Sequence, residues 1–299
     1  MTGFIIPGAQ RAIASCAMLL LLTTGARALR WERDNTGRSV AVADRVHRVV
    51  SLSPNITNTI YALGAAGDLV GITDYTDYPP EAARQKPSVG AIVNPSLERI
   101  VALHPDLVLA LPAFNGAETI AGLERLGIPV FLFTTGDISN IYRSVESVGR
   151  LMGREREAAA LVAQLRSREA RVRAQSAGKP TTSVVLVLSI DPLITAGKNA
   201  FITQMIAAAG ARSVTDDIQQ DWVQMNVETM LARKPDYILL MQDGPVSLKD
   251  LQQTAGWSSL DAVRRGRVIV IDNRVQVPAP VAFDGLEDLA RQIHALQSP

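Results

Sequence analysis

Apolar and polar positions along the chain fall into two runs that repeat each other. The first is Ser96-Leu-Glu-Arg-Ile-Val-Ala-Leu-His-Pro-Asp-Leu-Val-Leu-Ala-Leu111. The second, 130 residues later, is Asn226-Val-Glu-Thr-Met-Leu-Ala-Arg-Lys-Pro-Asp-Tyr-Ile-Leu-Leu-Met241. Glu98 and Glu228, Ala102 and Ala232, Pro105 and Pro235, Asp106 and Asp236, and Leu109 and Leu239 coincide. Each run predicts the same elements. Ser96 or Asn226 caps a short helix with a glutamate in its first turn. Pro-Asp ends that helix. A continuous apolar run then follows as a buried strand.

The openings of the two halves agree as well. Arg48 to Ser53 is patterned as a strand, followed by a helix through Thr57 to Leu63 that Gly64 ends. Ser183 to Ser189 and a helix from Phe201 to Ala209, ended by Gly210, match it. Val70 to Thr73 supplies a further strand. Between the halves, Ile138, Ile141, Tyr142, Val145 and Val148 keep a helical period. Gly149 and Gly153 interrupt it, and Arg154 to Arg173 resumes in strong helix formers. Twenty residues of helix form a rod of about 30 Å. The pattern therefore predicts an α/β chain: two similar lobes, each a parallel sheet covered by helices, joined by a long rigid helix. The expected boundaries are a first lobe over 46–152, a linking helix over 154–177 and a second lobe over 180–299. A single helical link restricts hinge closure more than flexible strands would.

Residues 1–28 read as an address. Arg11 precedes an apolar, uncharged run from Ala12 to Leu22, and Ala26-Arg27-Ala28 forms a small-x-small site. Together they predict a signal peptide cut after Ala28 and an exported, periplasmic protein. The run is too short to cross a bilayer about 30 Å thick. An N-terminal anchor remains an alternative. So does a lipid on Cys16, although most of the apolar core follows Ile13-Ala14-Ser15-Cys16 where a lipoprotein box needs it before. Cleavage would remove Arg11, Arg27 and the chain's one cysteine, leaving 28 basic and 29 acidic residues. No later segment has 18 consecutive apolar residues, so the mature part is expected to be soluble.

Composition narrows the function. Of 299 residues, 47% are hydrophobic and 20% charged, a globular balance, and the net charge of +1 provides no field for nucleic acid. Three histidines and a single cysteine leave no His-rich metal scavenger, no cysteine zinc site and no disulfide framework. The chain spells no Walker loop, no His-Glu-x-x-His, no Gly-x-Ser-x-Gly elbow and no dinucleotide fingerprint. A secreted α/β hydrolase would need an unsignalled triad. His47, His104 and His294 read as solvated or structural. No catalytic residue and no metal ligand is assigned.

Candidate ligand residues lie where strands end, since open α/β sheets bind ligands there. Ser53, Pro54 and Asn55 follow the first strand. Asp74, Tyr75, Asp77 and Tyr78 follow the second, with two flat rings suited to a large planar ligand. The alternative is a capped turn whose tyrosines pack on the lobe. Phe114 and Asn115 follow the repeat strand of the first half. Trp222 lies in a polar stretch as a ligand platform or a lid. Phe283 leads Leu286, Leu289 and Ile293 at helical spacing and reads as core.

From about Arg48 to the C-terminus, the chain resembles the helical-backbone, class III substrate-binding proteins of ABC importers. These include cobalamin, haem and ferric-siderophore binders, and the cobalamin binders match best. The resemblance is carried by Arg48-Val-Val-Ser-Leu-Ser-Pro-Asn55, Asp74-Tyr-Thr-Asp-Tyr-Pro-Pro80, Leu97 to Val108 and Pro192-Leu-Ile-Thr-Ala-Gly-Lys198. It implies a ligand held between the lobes, with Tyr75 or Tyr78 and Trp222 on the family's cleft aromatics. It also implies that Glu98 and Glu228 dock on arginines of the transmembrane permease; otherwise each glutamate only favours its helix N-terminus. The expected protein carries no cofactor, does not catalyse, and acts as a monomer that delivers a corrinoid, or haem or a ferric siderophore, to its importer. The chain departs from the cobalamin binders at Ile92 and Leu111, where they carry tryptophans, and at Val281, where they carry an arginine. Haem would need an axial Tyr or His, and Tyr75 and Tyr78 are the placed candidates.

Overall fold

The structure is a computed structural model that describes residues 28–297. The expected leader, apart from Ala28, lies outside the described residues.

The first strands form a hairpin, β1 (Leu29–Arg33) against β2 (Ser39–Ala43), antiparallel. Buried Asp34 holds its turn by accepting the Thr36 N–H at 3.0 Å and the Arg38 N–H at 2.9 Å. Arg38 then reaches the Val130 carbonyl at 2.9 Å and Glu124 at 3.1 Å, fastening the hairpin to the first lobe.

That lobe runs β3 (Val49–Ser51), α1 (Pro54–Ala62), β4 (Leu69–Gly71), α2 (Pro80–Gln85), α3 (Leu97–Ala102), β5 (Leu107–Ala110), α4 (Pro112–Asn115), α5 (Ala117–Arg125) and β6 (Val130–Leu132). Its sheet is parallel, in the order β4-β3-β5-β6. Two helices follow, α6 (Ile138–Leu151) and α7 (Glu155–Ser176). The second lobe contains β7 (Thr182–Leu186), β8 (Ser189–Ile190), β9 (Leu193–Ala196), α8 (Phe201–Ala208), β10 (Ala211–Ser213), β11 (Trp222–Met225), α9 (Val227–Arg233), β12 (Tyr237–Met241), α10 (Leu248–Gln253), α11 (Asp261–Arg264), β13 (Val268–Ile271) and α12 (Ala282–Gln297). Its parallel sheet is ordered β10-β7-β12-β13. In each lobe the strands therefore stand second, first, third, fourth by chain order, so the topology is duplicated along with the sequence.

The period of two along each strand sorts its side chains between two cores. Leu107 and Leu109 of β5, and Leu239 and Met241 of β12, face one core shared by both lobes. Val108 and Ala110 face the first lobe's outer helices, and Ile238 and Leu240 the second's. The shared core runs through Val162, Leu165 and Val172 of α7 and Phe283, Leu286 and Leu289 of α12. Phe283 is fully buried against Tyr142, ring centroids 6.0 Å apart. The lobes are thus joined by one continuous apolar mass as well as by the 22-residue helix α7. Arg168 of α7 clasps Glu287 and Asp284 of α12 at 2.8 and 2.7 Å.

The repeat has a physical cause in its Pro-Asp pair. Asp106 accepts the backbone N–H groups of His47 (3.0 Å) and Arg48 (3.2 Å), pinning the start of β3 beside β5. Asp236 does the same for Ser183 beside β12, from the backbone N–H at 2.9 Å and the hydroxyl at 2.6 Å. The residue before each proline, His104 or Lys234, turns with positive φ of 44° and 47°. Ser96 and Asn226 cap α3 and α9 by accepting the N–H three residues on. Gly64 and Gly210 leave α1 and α8 with φ of 67° and 90°, a conformation glycine takes without steric cost.

Three features differ from the sequence expectation. The hairpin β1–β2 precedes the first lobe's sheet. Between β7 and α8, where the sequence pattern predicts direct strand-to-helix alternation, stand β8 and β9, which pair with the later β11 in a three-stranded antiparallel ribbon ordered β11-β9-β8. Gly149 does not interrupt α6; the helix passes through it to Leu151 and stops at Gly153. Gly149 instead allows close approach to α7, since a Cβ there would stand 2.5 Å from the Ala158 Cβ.

Candidate functional site

Both parallel sheets aim the ends of their strands at one cleft of about 860 Å³ between the lobes. Ser53, Pro54 and Asn55 follow β3, Tyr75, Asp77 and Tyr78 follow β4, Leu111 and Phe114 follow β5, and Thr135 and Gly136 follow β6. The second lobe contributes Asn199 and Phe201 after β9, Asp221 and Trp222 at the ribbon, Asp243 after β12 and Asn273 after β13.

Of the residues expected from sequence, Ser53, Pro54, Asn55, Tyr75, Tyr78, Phe114 and Trp222 lie along the cleft. Asp74 does not. Its carboxylate accepts the Ser88 hydroxyl and its N–H donates to the Gly90 carbonyl at 2.9 Å, so it braces the loop beneath the tyrosines. Tyr75 is 87% exposed and has a φ of 56°, in the left-handed region that costs a non-glycine residue about 1 kcal/mol or more. Its ring stands free at the rim rather than packed on the lobe. Phe114 and Trp222 are 46% and 52% exposed. Trp222 opens β11 opposite Ala196, so the ribbon holds it at the cleft wall.

Ser53 and Asn55 are buried, and the Ser53 hydroxyl donates to the side-chain amide oxygen Oδ1 of Asn55. The helix N-terminus they begin reaches the cleft mainly through Pro54 and backbone. The wall beside them is set by Asn115, which is fully buried. Its side chain accepts the Leu111 N–H at 2.6 Å and donates to the carbonyls of Leu52 at 3.0 Å and Ile92 at 2.8 Å. One amide thus fixes the ends of β3 and β5 and the loop carrying Ile92.

Ile92 and Leu111 line the cleft, so two of the three positions at which the resemblance fails are wall positions. Val281 is not a wall residue; its N–H donates to Asn58 at 3.3 Å behind the cleft. Sequence reasoning missed Thr135, Gly136, Phe201, Asp243, Asn273 and Gln276. The same rule that found Ser53, ligands at strand ends, would have found most of them had it been applied to every strand.

Tyr78 is half-buried. Burial first, then the carboxylates of Asp272, Asp243 and Asp77, hold its phenol above the ordinary tyrosine range. Among the described residues, no group of three His, Cys, Asp or Glu side chains is placed to hold a metal ion, and no helix is long and apolar enough to cross a membrane.

Glu98 and Glu228 are exposed in the first turns of α3 and α9, at equivalent places in the duplicated lobes. Glu98 accepts the hydroxyl of its own cap, Ser96, at 3.0 Å.

Residues 49–275 match the family model described as periplasmic binding protein. An uncharacterised ABC-transporter substrate-binding lipoprotein of Bacillus subtilis is 32% identical over 269 residues, covering 87% of this chain and 84% of its own. A vitamin B12-binding protein of Vibrio parahaemolyticus is 26% identical, covering 84% and 91%. Among solved structures, a periplasmic heme-binding protein of Roseiflexus in apo form superposes with a TM-score of 0.77 at 26% identity, over 84% of this chain and 99% of that one.

Proposed function

The chain belongs to the periplasmic binding protein family and is a substrate-binding protein of the ABC-transporter kind, and from that footing we propose that its cleft captures a corrinoid and delivers it to the permease of an ABC importer. Its work is binding, not turnover. The observation that carries the reading is an 860 Å³ cleft lined by aromatic side chains of both lobes, exposed Tyr75 and Phe114 from the first and exposed Trp222 with half-buried Phe201 from the second. Flat rings on opposite walls suit a large ligand held by stacking and contact area, with few polar groups setting its orientation. The Vibrio relative binds vitamin B12, which supports the same ligand class here.

Delivery needs a docking face. Glu98 and Glu228 occur once per lobe on equivalent helices, which fits a permease with two matching halves presenting cations. Transport by the reconstituted importer should be abolished by E98K/E228K while corrinoid affinity stays unchanged. Full transport by that variant contradicts the docking role.

Haem is the second reading, supported by the Roseiflexus neighbour and by two tyrosines in the cleft. An axial tyrosinate must give up its proton, and the Tyr78 phenol is held in the opposite direction by burial and nearby carboxylates. A shifted Soret band on adding hemin, lost in Tyr75→Phe or Tyr78→Phe, would favour haem over the corrinoid. An unshifted spectrum together with saturable cyanocobalamin binding would favour the corrinoid.

A further inference from the structure

The charge of the cleft is one-sided. Asp77 enters from the first lobe, Asp221 and Asp243 from the second, and among the described residues no lysine or arginine lines the wall. Asp77 and Asp221 make no ion pair and no side-chain hydrogen bond among the described residues. Asp243 meets only a neutral partner, accepting from the Asn273 amide at 2.9 Å. Arg274, close behind the cleft, is already engaged by Asp272 at 2.6 Å and Asp284 at 3.3 Å. The N-termini of α1 and α8 reach the cleft and bring about half a positive charge each. Against three carboxylates that leaves a negative field.

Resting on the reading of the cleft as the site of a large ring, we propose that Asp77, Asp221 and Asp243 form a charge filter: the cleft takes a ring whose rim is neutral and rich in N–H donors and rejects the same ring when its rim carries carboxylates. Ligand amides can donate to these carboxylates, and such charge-assisted bonds are stronger than neutral ones. All three are exposed in the open cleft, and a ligand carboxylate brought there meets like charge while the ligand itself displaces the water that would screen it. Selection works by exclusion as well as by attraction.

Pairs of ligands that share a ring and differ only at the rim test the filter. Cobinamide carries amides where cobyrinic acid carries carboxyl groups, and hemin dimethyl ester lacks the free propionates of hemin. Affinities of the purified full chain are measured for all four at low salt and at 1 M salt. The neutral member should bind at least about tenfold more tightly at low salt. At 1 M salt, where the screening length is about 3 Å, the gap should narrow. It should also narrow in D77N/D221N/D243N, or in D221N alone should the triple variant not fold. Equal affinities within a pair at low salt, or a gap untouched by the substitutions, overturns the filter. Binding of the haem pair alone, with the ester preferred, leaves the filter standing and removes the corrinoid reading. Binding of neither ring contradicts both.

Discussion

Asn115 shows how one side chain sets the shape of a wall. Its partners on Leu52 and Leu111 are buried and that on Ile92 is half-buried, so replacing it with leucine removes every partner at once and strands two carbonyls and an N–H. Asn115→Leu should cost about 2–4 kcal/mol in urea unfolding and weaken ligand binding. A matched destabilisation on the outer face, Leu123→Ala, should leave affinity unchanged. Asp106 and Asp236 offer an internal comparison. Both hold the start of a neighbouring strand, but Asp106 is buried and receives two backbone N–H groups. Asp106→Ala should therefore destabilise by about 1–3 kcal/mol, and more than Asp236→Ala, as read by denaturant midpoints. Among single residues, what the sequence told was partial. Tyr75, Tyr78 and Trp222 were legible as candidates because aromatic rings set in polar stretches have few other uses. Asp74 was not, because its bond to Ser88 crosses a loop whose path no local pattern encodes. Asn115 gave no signal of its role, since its three partners come from three separate segments.

The elements were legible where their chemistry is local. A cap, a first-turn glutamate and a Pro-Asp turn each act within a few residues, so they wrote the same helix and strand twice. The ribbon of β8, β9 and β11 was hidden because β11 lies 26 residues beyond β9 and is polar around Trp222. Its pairing is a long-range event. The hairpin β1–β2 was likewise hidden: its strands are short, and β1 leaves Leu29 and Trp31 exposed and Arg30 and Glu32 half-buried, the reverse of the usual sorting. In the sequence Gly149 reads as a break because glycine usually weakens a helix. Its actual role is close contact between α6 and α7. Gly149→Ala should lower stability by about 1–3 kcal/mol through overpacking against Ala158 and the Arg154 carbonyl. Calorimetric melting checks this; a neutral or stabilising outcome would mean that the helix pair separates freely.

At the scale of the molecule, two lobes share one core and one clasp. Glu287 is held below its ordinary value first by its hydrogen bond from Arg168, with burial opposing. A depressed carboxyl stabilises the folded chain fully above the unfolded value near 4.5 and loses that contribution as pH falls through the folded value. The pair is partly exposed, so its worth is about 1 kcal/mol. Arg168→Met should therefore be less stable near neutral pH and should flatten the loss of stability below about pH 4.5. The shared core and α7 also limit how far the lobes can close. Small-angle scattering should give a radius of gyration near 18 Å that changes by less than roughly 1 Å on ligand binding.

Calorimetric titration of the purified chain with cyanocobalamin decides whether this cleft holds a corrinoid. A corrinoid site should give saturable one-to-one binding at micromolar affinity or tighter, weakened at least about tenfold by Trp222→Ala. No heat at several temperatures, with hemin or a ferric siderophore binding instead, would contradict the corrinoid assignment and leave only the binding-protein role.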